Sequence, residues 1–166
     1  MSKSVDDLWT AFAGESQANR KYLAFAKKAD TEGFPQIARL FRAAAQAETV
    51  HALAQFRALG EIKTTAENLQ TAATRENYEW VTMYPEFIKD AQAEDNEAAL
   101  ICFERAMAVE EVHEKLYRDA LANIASQPTE VYEYFVCPVC GYTVARNAPE
   151  RCPVCGTPGT RFERIS

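Results

Sequence analysis

Histidine is almost missing from this chain: 166 residues contain two, His51 and His113. No apolar run approaches the ~20 residues of a membrane span, so no membrane partner is expected. The opening residues Met1-Ser2-Lys3-Ser4-Val5-Asp6-Asp7 lack the apolar core of a signal peptide, and a cytoplasmic location follows as the expectation. An excess of basic charge is missing too: 18 Lys and Arg stand against 24 Asp and Glu, a net charge of −6. That balance excludes an extended nucleic-acid surface, which needs a basic patch. Cysteines are few and unevenly spread. Four of the five fall in two short clusters, and Cys102 stands alone in a helical pattern, where it reads as a buried apolar thiol. In a cytoplasmic chain, clustered cysteines suggest metal ligation over disulfides.

What is present is helical periodicity. Leu8, Phe12, Tyr22 and Ala26 mark a first helix from Ser4 to about Thr31, with Ser4 and Asp7 as its N-terminal cap. Gly33 punctuates, and Pro35 suits the first turn of a second helix that carries Ile37, Phe41 and Ala44 and stops at Gly60. Thr64 to Glu67 forms a capping box for a third helix, in which Pro85 predicts a kink. Asp95-Asn96 can cap a fourth, with Leu100, Phe103, Tyr117 and Leu121. Four such helices predict an all-α antiparallel four-helix bundle over residues 1–126. A linker over 127–131 and a small metal-stapled β/loop domain over 132–166 follow, the latter too short to bury a core unaided.

Shifting the chain by 62 residues superposes Tyr22 on Tyr84, Phe25 on Phe87, Phe41 on Phe103, Glu48 on Glu110 and His51 on His113. Ten identities fall in thirty positions, where average composition gives about two. The bundle therefore reads as a duplicated helical hairpin with a pseudo-two-fold site.

Each histidine lies three residues after a glutamate, so Glu48/His51 and Glu110/His113 each project from one helix face. Helical glutamates are normally solvated. Here Glu15, Glu48, Glu76 and Glu110 interrupt the apolar stripes of the four helices at about mid-length, with Glu79 one turn beyond Glu76. Carboxylates buried together need compensating cations. Two Glu-x-x-His pairs on facing helices, joined by further inward glutamates, are the requirement of a dimetal site. Oxygen and imidazole ligands suit iron, manganese or zinc, and leave the metal open.

Cys137-Pro138-Val139-Cys140-Gly141 and Cys152-Pro153-Val154-Cys155-Gly156 are near-identical knuckles, able to close a tetrahedral four-sulfur site for zinc or a lone iron. Tyr134, Phe135 and Tyr142 around the first knuckle resemble rubredoxin, whose iron passes single electrons. From this segment alone zinc and a redox iron stay equally open.

The run Ala13-Gly14-Glu15-Ser16-Gln17-Ala18, both Glu-x-x-His motifs, and Glu76-Asn77-Tyr78-Glu79-Trp80 followed by Met83-Tyr84-Pro85-Glu86-Phe87 resemble rubrerythrin over nearly the whole chain. The resemblance implies a ferritin-like bundle holding a non-haem diiron centre, ended by a rubredoxin-like domain. It further implies Glu48 and Glu110 as bridging ligands, Glu15 and Glu76 as further carboxylates, and His113 on one iron. The other iron would exchange between Glu79 and His51 as its redox state changes, which makes these two the catalytic pair. The function implied is reduction of hydrogen peroxide to water. Electrons would come from a small redox protein or reductase through an iron held by Cys137, Cys140, Cys152 and Cys155. A head-to-tail homodimer is also implied, since one bundle and its own tail would be too far apart for fast transfer. An iron-handling ferroxidase and a zinc-loaded, non-enzymatic metal-binding protein are the alternatives.

Overall fold

Local sequence signals set the helix ends in the computed structural model, which describes residues 2–126 and 131–166. The expected linker thus lies, Val131 excepted, outside the described residues. Helix α1 spans Lys3–Thr31, starting one residue before the expected cap, with Ser2 at its N-terminus and no side-chain capping bond. Gly33, at φ 80°, turns the chain into α2, Pro35–Ala58, with its proline in the first turn. The capping box forms as expected: Thr64 Oγ1 accepts from the Glu67 backbone N–H, and the Thr64 backbone N–H donates to Glu67 Oε2. It opens α3, Thr65–Tyr78. Helix α4 spans Tyr84–Ala93, and α5 spans Glu97–Asn123 with Asn96 Oδ1 accepting from the Ala99 N–H at 3.1 Å.

Between α3 and α4 the expected kink at Pro85 is replaced by a π turn, Glu79–Met83, and Pro85 falls within the first turn of α4. The repeat explains it. Seven residues separate Glu15 from Tyr22 in the first hairpin, and eight separate Glu76 from Tyr84 in the second. A π turn absorbs one surplus residue without breaking the helix.

The chain divides into two compact units, residues 1–63 and 64–166. In the first, α1 and α2 pack through small residues: Ala26 and Ala29 meet a seven-residue series of Ala38, Ala45 and Ala52, all buried. Buried Asn19 donates from Nδ2 to the Ala45 carbonyl at 2.7 Å and to Thr49 Oγ1 at 2.8 Å. In the second unit, α3 and α4 pack on α5, with Ala73, Ala91 and Val109 buried. The duplication is visible in the rings. Tyr22–Phe41 and Phe25–Phe41 lie at 6.2 and 5.5 Å, and Tyr84–Phe103 and Phe87–Phe103 at the same 6.2 and 5.5 Å.

The second unit also holds a three-stranded antiparallel sheet: β1 Tyr134–Val136, β2 Thr143–Ala145 and β3 Glu163–Ile165, in the order β2-β1-β3. The knuckle between β1 and β2 rests on α5, where a side chain on Gly141 would meet Val109. The helical bundle segments and the small cysteine-bearing sheet are the expected fold class. Cys102 differs from expectation: on α5 it is exposed. Among the described residues, no helix is long and apolar enough to cross a membrane.

Candidate metal centres

Three groups of donor side chains assemble among the described residues. The first lies in the α1–α2 hairpin, where Glu15, Glu48 and His51 bring one donor atom each within 4.8 Å of one another. His51 Nδ1 is 2.9 Å from Glu48 Oε2. A hydrogen bond with Glu48 raises the Glu15 pKa, as expected where two carboxyls crowd a place that a cation would serve.

The second group repeats it: Glu76 from α3 with Glu110 and His113 from α5. His113 Nδ1 is 2.8 Å from Glu110 Oε2, and this hydrogen bond raises the imidazole pKa. Burial and the negative charges of Glu110 and Glu79 push Glu76 up to about 7. Clustered carboxylates, each group beside an imidazole nitrogen, form a hard-oxygen and nitrogen donor set suited to divalent iron. Each group is half of the expected site.

Glu79 stands beside Glu76 but outside the three-residue group. Its carboxylate accepts from Arg75 Nε at 2.6 Å, and its side chain is only 15% exposed, so it does not face solvent. The π turn begins at this residue.

The far side of His113 carries the link to the third group. Nε2 lies 3.0 Å from Thr143 Oγ1, and that hydroxyl donates to the Gly141 carbonyl at 3.0 Å. A histidine held at its second nitrogen has its ring orientation set for ligation through the first. Gly141 directly follows Cys140. The expectation that the chain's own tail lies too far from the bundle ligands is therefore corrected: the module touches His113 of its own chain.

The third group is Cys137, Cys140, Cys152 and Cys155. Sγ of Cys137 is 3.5 Å from that of Cys155, and Cys140 is 3.4 Å from Cys152. A tetrahedral metal with sulfur at ~2.3 Å has edges of ~3.8 Å, so the cage fits one ion. The knuckles are built alike. Gly141 and Gly156 take φ of 86° and 74°, and their N–H groups donate to the Cys137 and Cys152 carbonyls at 2.9 Å. Burial alone would raise the Cys155 thiol, but hydrogen bonds from the Thr157 hydroxyl and backbone bring it down to about 6, ready to ligate as thiolate.

The family model described as Rubrerythrin matches residues 6–121, and that of the rubrerythrin rubredoxin-like domain matches 135–163. The chain belongs to the rubrerythrin family. It is 37% identical to a rubrerythrin of Porphyromonas gingivalis, over 98% of this chain and 90% of that one. It is 36% identical to nigerythrin of Nitratidesulfovibrio vulgaris, over 98% and 86%. The solved structure of fully reduced, all-ferrous nigerythrin matches with a TM-score of 0.60 at 35% identity, covering 99% of this chain and 88% of that one. The centres of this rubrerythrin-family chain are accordingly a diiron site and a rubredoxin-like four-cysteine site.

Three residues near the half-site of α3 and α5 were not singled out from sequence as functional. Glu114 is buried and accepts from Trp80 Nε1 at 2.6 Å, Asn77 Nδ2 at 3.0 Å and Arg118 Nε at 2.7 Å. Its sequence signals are the i,i+4 spacing to Arg118 and a place in the apolar stripe seven residues before Leu121. Tyr84 and Tyr117 have pKa values raised by burial and by the nearby carboxylates Glu110 and Glu76. Tyr84 was signalled by its repeat partner Tyr22, and Tyr117 only as a stripe residue.

Proposed function

We propose that this protein is a cytoplasmic peroxidase that reduces hydrogen peroxide to water, taking electrons one at a time through its four-cysteine iron from a small redox protein or reductase. The reaction consumes two protons and two electrons per peroxide and yields two waters. Glu15, Glu48, Glu76, Glu79, Glu110, His51 and His113 would hold the iron pair, with Glu48 and Glu110 each paired to a histidine of its own helix. Two ferrous ions held there would supply both electrons and Lewis-acid stabilisation as the O–O bond breaks.

The carrying observation is His113. One imidazole nitrogen turns to the Glu110 carboxylate and the other to Thr143 and the Cys140 knuckle, so a single side chain joins the two centres. A ferroxidase or a zinc-loaded, non-enzymatic metal-binding protein has no need for that contact. Glu79 and His51 would be the two ligands that exchange on one iron. Carboxylate favours the more charged ferric ion and neutral imidazole the ferrous one, and Arg75 holds the Glu79 charge close by when it is not ligating.

The test separates delivery from chemistry. Cys137→Ser should abolish reductant-driven peroxide turnover, while a chemically reduced diiron site still reacts once. Unchanged steady-state turnover would remove the electron route. Metal analysis with an optical spectrum separates the alternatives: red protein with iron in both centres supports the peroxidase, and colourless zinc protein removes it.

A further inference from the structure

The two knuckles of the four-cysteine site share one backbone design and differ at one buried side chain. The Cys137 N–H donates to the Tyr142 carbonyl at 2.9 Å, and the Cys152 N–H donates to the Thr157 carbonyl at 2.8 Å. Tyr142 and Thr157 thus hold the same place, two residues after the second cysteine of each knuckle. Their side chains diverge. The Tyr142 ring turns to Phe162, with centroids 6.5 Å apart. Thr157 turns back into its own knuckle, where Oγ1 lies 3.1 Å from Cys155 Sγ. We propose that this hydroxyl sets the reduction potential of the four-cysteine iron: Thr157 donates a hydrogen bond to Cys155 and makes the site easier to reduce than its cysteines alone would. The inference rests on the assignment of iron to this site, and not on the reaction at the bundle.

Ligand chemistry gives the direction of the bond. A cysteine that binds a metal does so as thiolate and has no proton left to give. A threonine hydroxyl carries one proton that rotates to suit, so in the loaded site it is the donor. Thr157 is 7% exposed, and solvent does not compete for that proton. A buried hydroxyl that gave up its acceptor would go unpaired, which keeps the bond in place in both oxidation states.

Charge gives the sign. The four thiolates outnumber the positive charges of a ferric ion, and reduction leaves the site one charge more negative. The step takes one electron from the external reductant and later passes one to the bundle; no bond forms or breaks, and no proton is needed to balance it. The added charge spreads onto the sulfurs, so a donor aimed at sulfur favours the ferrous state over the ferric one and raises the potential. One such charge-assisted bond is worth about tenfold in the one-electron equilibrium, which corresponds to about 59 mV.

The bond has a place in the route. Cys140 and Cys155 are the two partly exposed sulfurs, whereas Cys137 and Cys152 are buried. Cys140 leads through Gly141 and Thr143 to His113, and the Thr157 bond falls on the partly exposed sulfur of the other knuckle. A site that is easier to reduce fills from a weaker reductant and passes its electron on with a smaller driving force. Thr157 acts through Cys155 alone, as a positioning residue that sets the balance between loading and delivery.

Spectroelectrochemical titration of the iron-loaded full chain, followed in the visible bands of the ferric four-cysteine site, reads the potential directly and needs no peroxide. Thr157→Val keeps the shape of the side chain and removes the hydroxyl. The one-electron equilibrium should move about tenfold toward ferric, a fall of about 59 mV, and Thr157→Ser should return most of it. A purely structural role would lower the melting temperature of the valine variant and leave the potential in place. If that variant folds poorly, Thr157→Ala removes the same hydroxyl and is read in the same way. An equilibrium that moves less than about twofold without the hydroxyl overturns the proposal, as does a shift that Thr157→Ser fails to reverse. Wild-type protein with no one-electron couple at this site also overturns it. The expected shift in a protein that turns over no peroxide supports the proposal and counts against the peroxidase alone.

Discussion

Replacing Glu114 by alanine should destabilise the protein by ~3 kcal/mol, because its carboxylate is the shared acceptor of three donors from two helices and the π turn. The residue is 8% exposed. Burial alone would raise its pKa, but hydrogen bonds from Trp80 and Arg118 outweigh that and hold it below the ordinary carboxylate value. In the alanine variant Arg118, 55% exposed, turns to water. Trp80 Nε1 and Asn77 Nδ2 lose their acceptor in a shielded place, at ~1–3 kcal/mol each. A chain of this size loses ~2–4 °C per kcal/mol, so the melting temperature should fall by ~6–12 °C. Glu114→Gln keeps one carbonyl acceptor and should lose about half as much. Asn77 adjoins Glu76 and Trp80 adjoins Glu79, so bundle iron per chain should fall with the melting temperature. Calorimetry of the iron-loaded protein with metal analysis is the assay. A fall under ~2 °C with unchanged iron would refute the clamp.

Three further outcomes are expected. Thr143→Val removes the hydroxyl between His113 Nε2 and the Gly141 carbonyl, and stopped-flow reoxidation of the four-cysteine iron by the diiron site should slow roughly 10-fold with little change in melting temperature. In metal-free protein Glu76 and His113 both bind protons more tightly folded than unfolded, so both favour folding at low pH; thermal stability should fall as pH rises from about 5 through 7, and chelated samples melted across that range check it. Deleting Val81 should convert the π turn to regular helix and keep Tyr84 on Phe103, leaving helicity by circular dichroism intact while peroxide turnover is lost.

Much of this was legible in sequence because local chemistry and repetition both speak at short range. Thr64 and Glu67 fix a helix start through their own side chains and need no tertiary partner. The 62-residue repeat pairs Glu48/His51 with Glu110/His113, and both pairs meet as spaced. What escaped depends on long-range placement. Glu114 lies in the apolar stripe seven residues before Leu121, yet only Trp80 and Asn77, more than thirty residues away, give it a role. Cys102 looks apolar in the helical pattern, yet its face of α5 is left open. The distance from the cysteine module to the bundle could not be read from a chain whose linker geometry sequence does not set. The structure brings Thr143 onto His113.

The hairpins differ by one residue, and that residue falls where the chemistry needs asymmetry. Up to Glu76 the second hairpin follows the first at a spacing of 61, and from Tyr84 onward at 62. At 61, Glu79 stands where the first hairpin has Ala18, and Trp80 where it has Asn19. Asn19 closes its hairpin by bonding the Ala45 carbonyl and Thr49; Trp80 closes the other by bonding Glu114, which stands, at 62, opposite Ala52. An ordinary helix with the extra residue would turn Tyr84 and Phe87 by ~100° away from Phe103. The π turn takes up that rotation within Glu79–Met83, so the aromatic packing repeats while the segment beside Glu76 does not. A perfectly duplicated site would hold both metals alike. The added residue brings a fifth carboxylate to one half-site only, while the other half-site keeps the more exposed histidine, His51. In the proposed site an exchange between Glu79 and His51 is therefore available to one metal and not to the other, whose ligand His113 is held at both ring nitrogens.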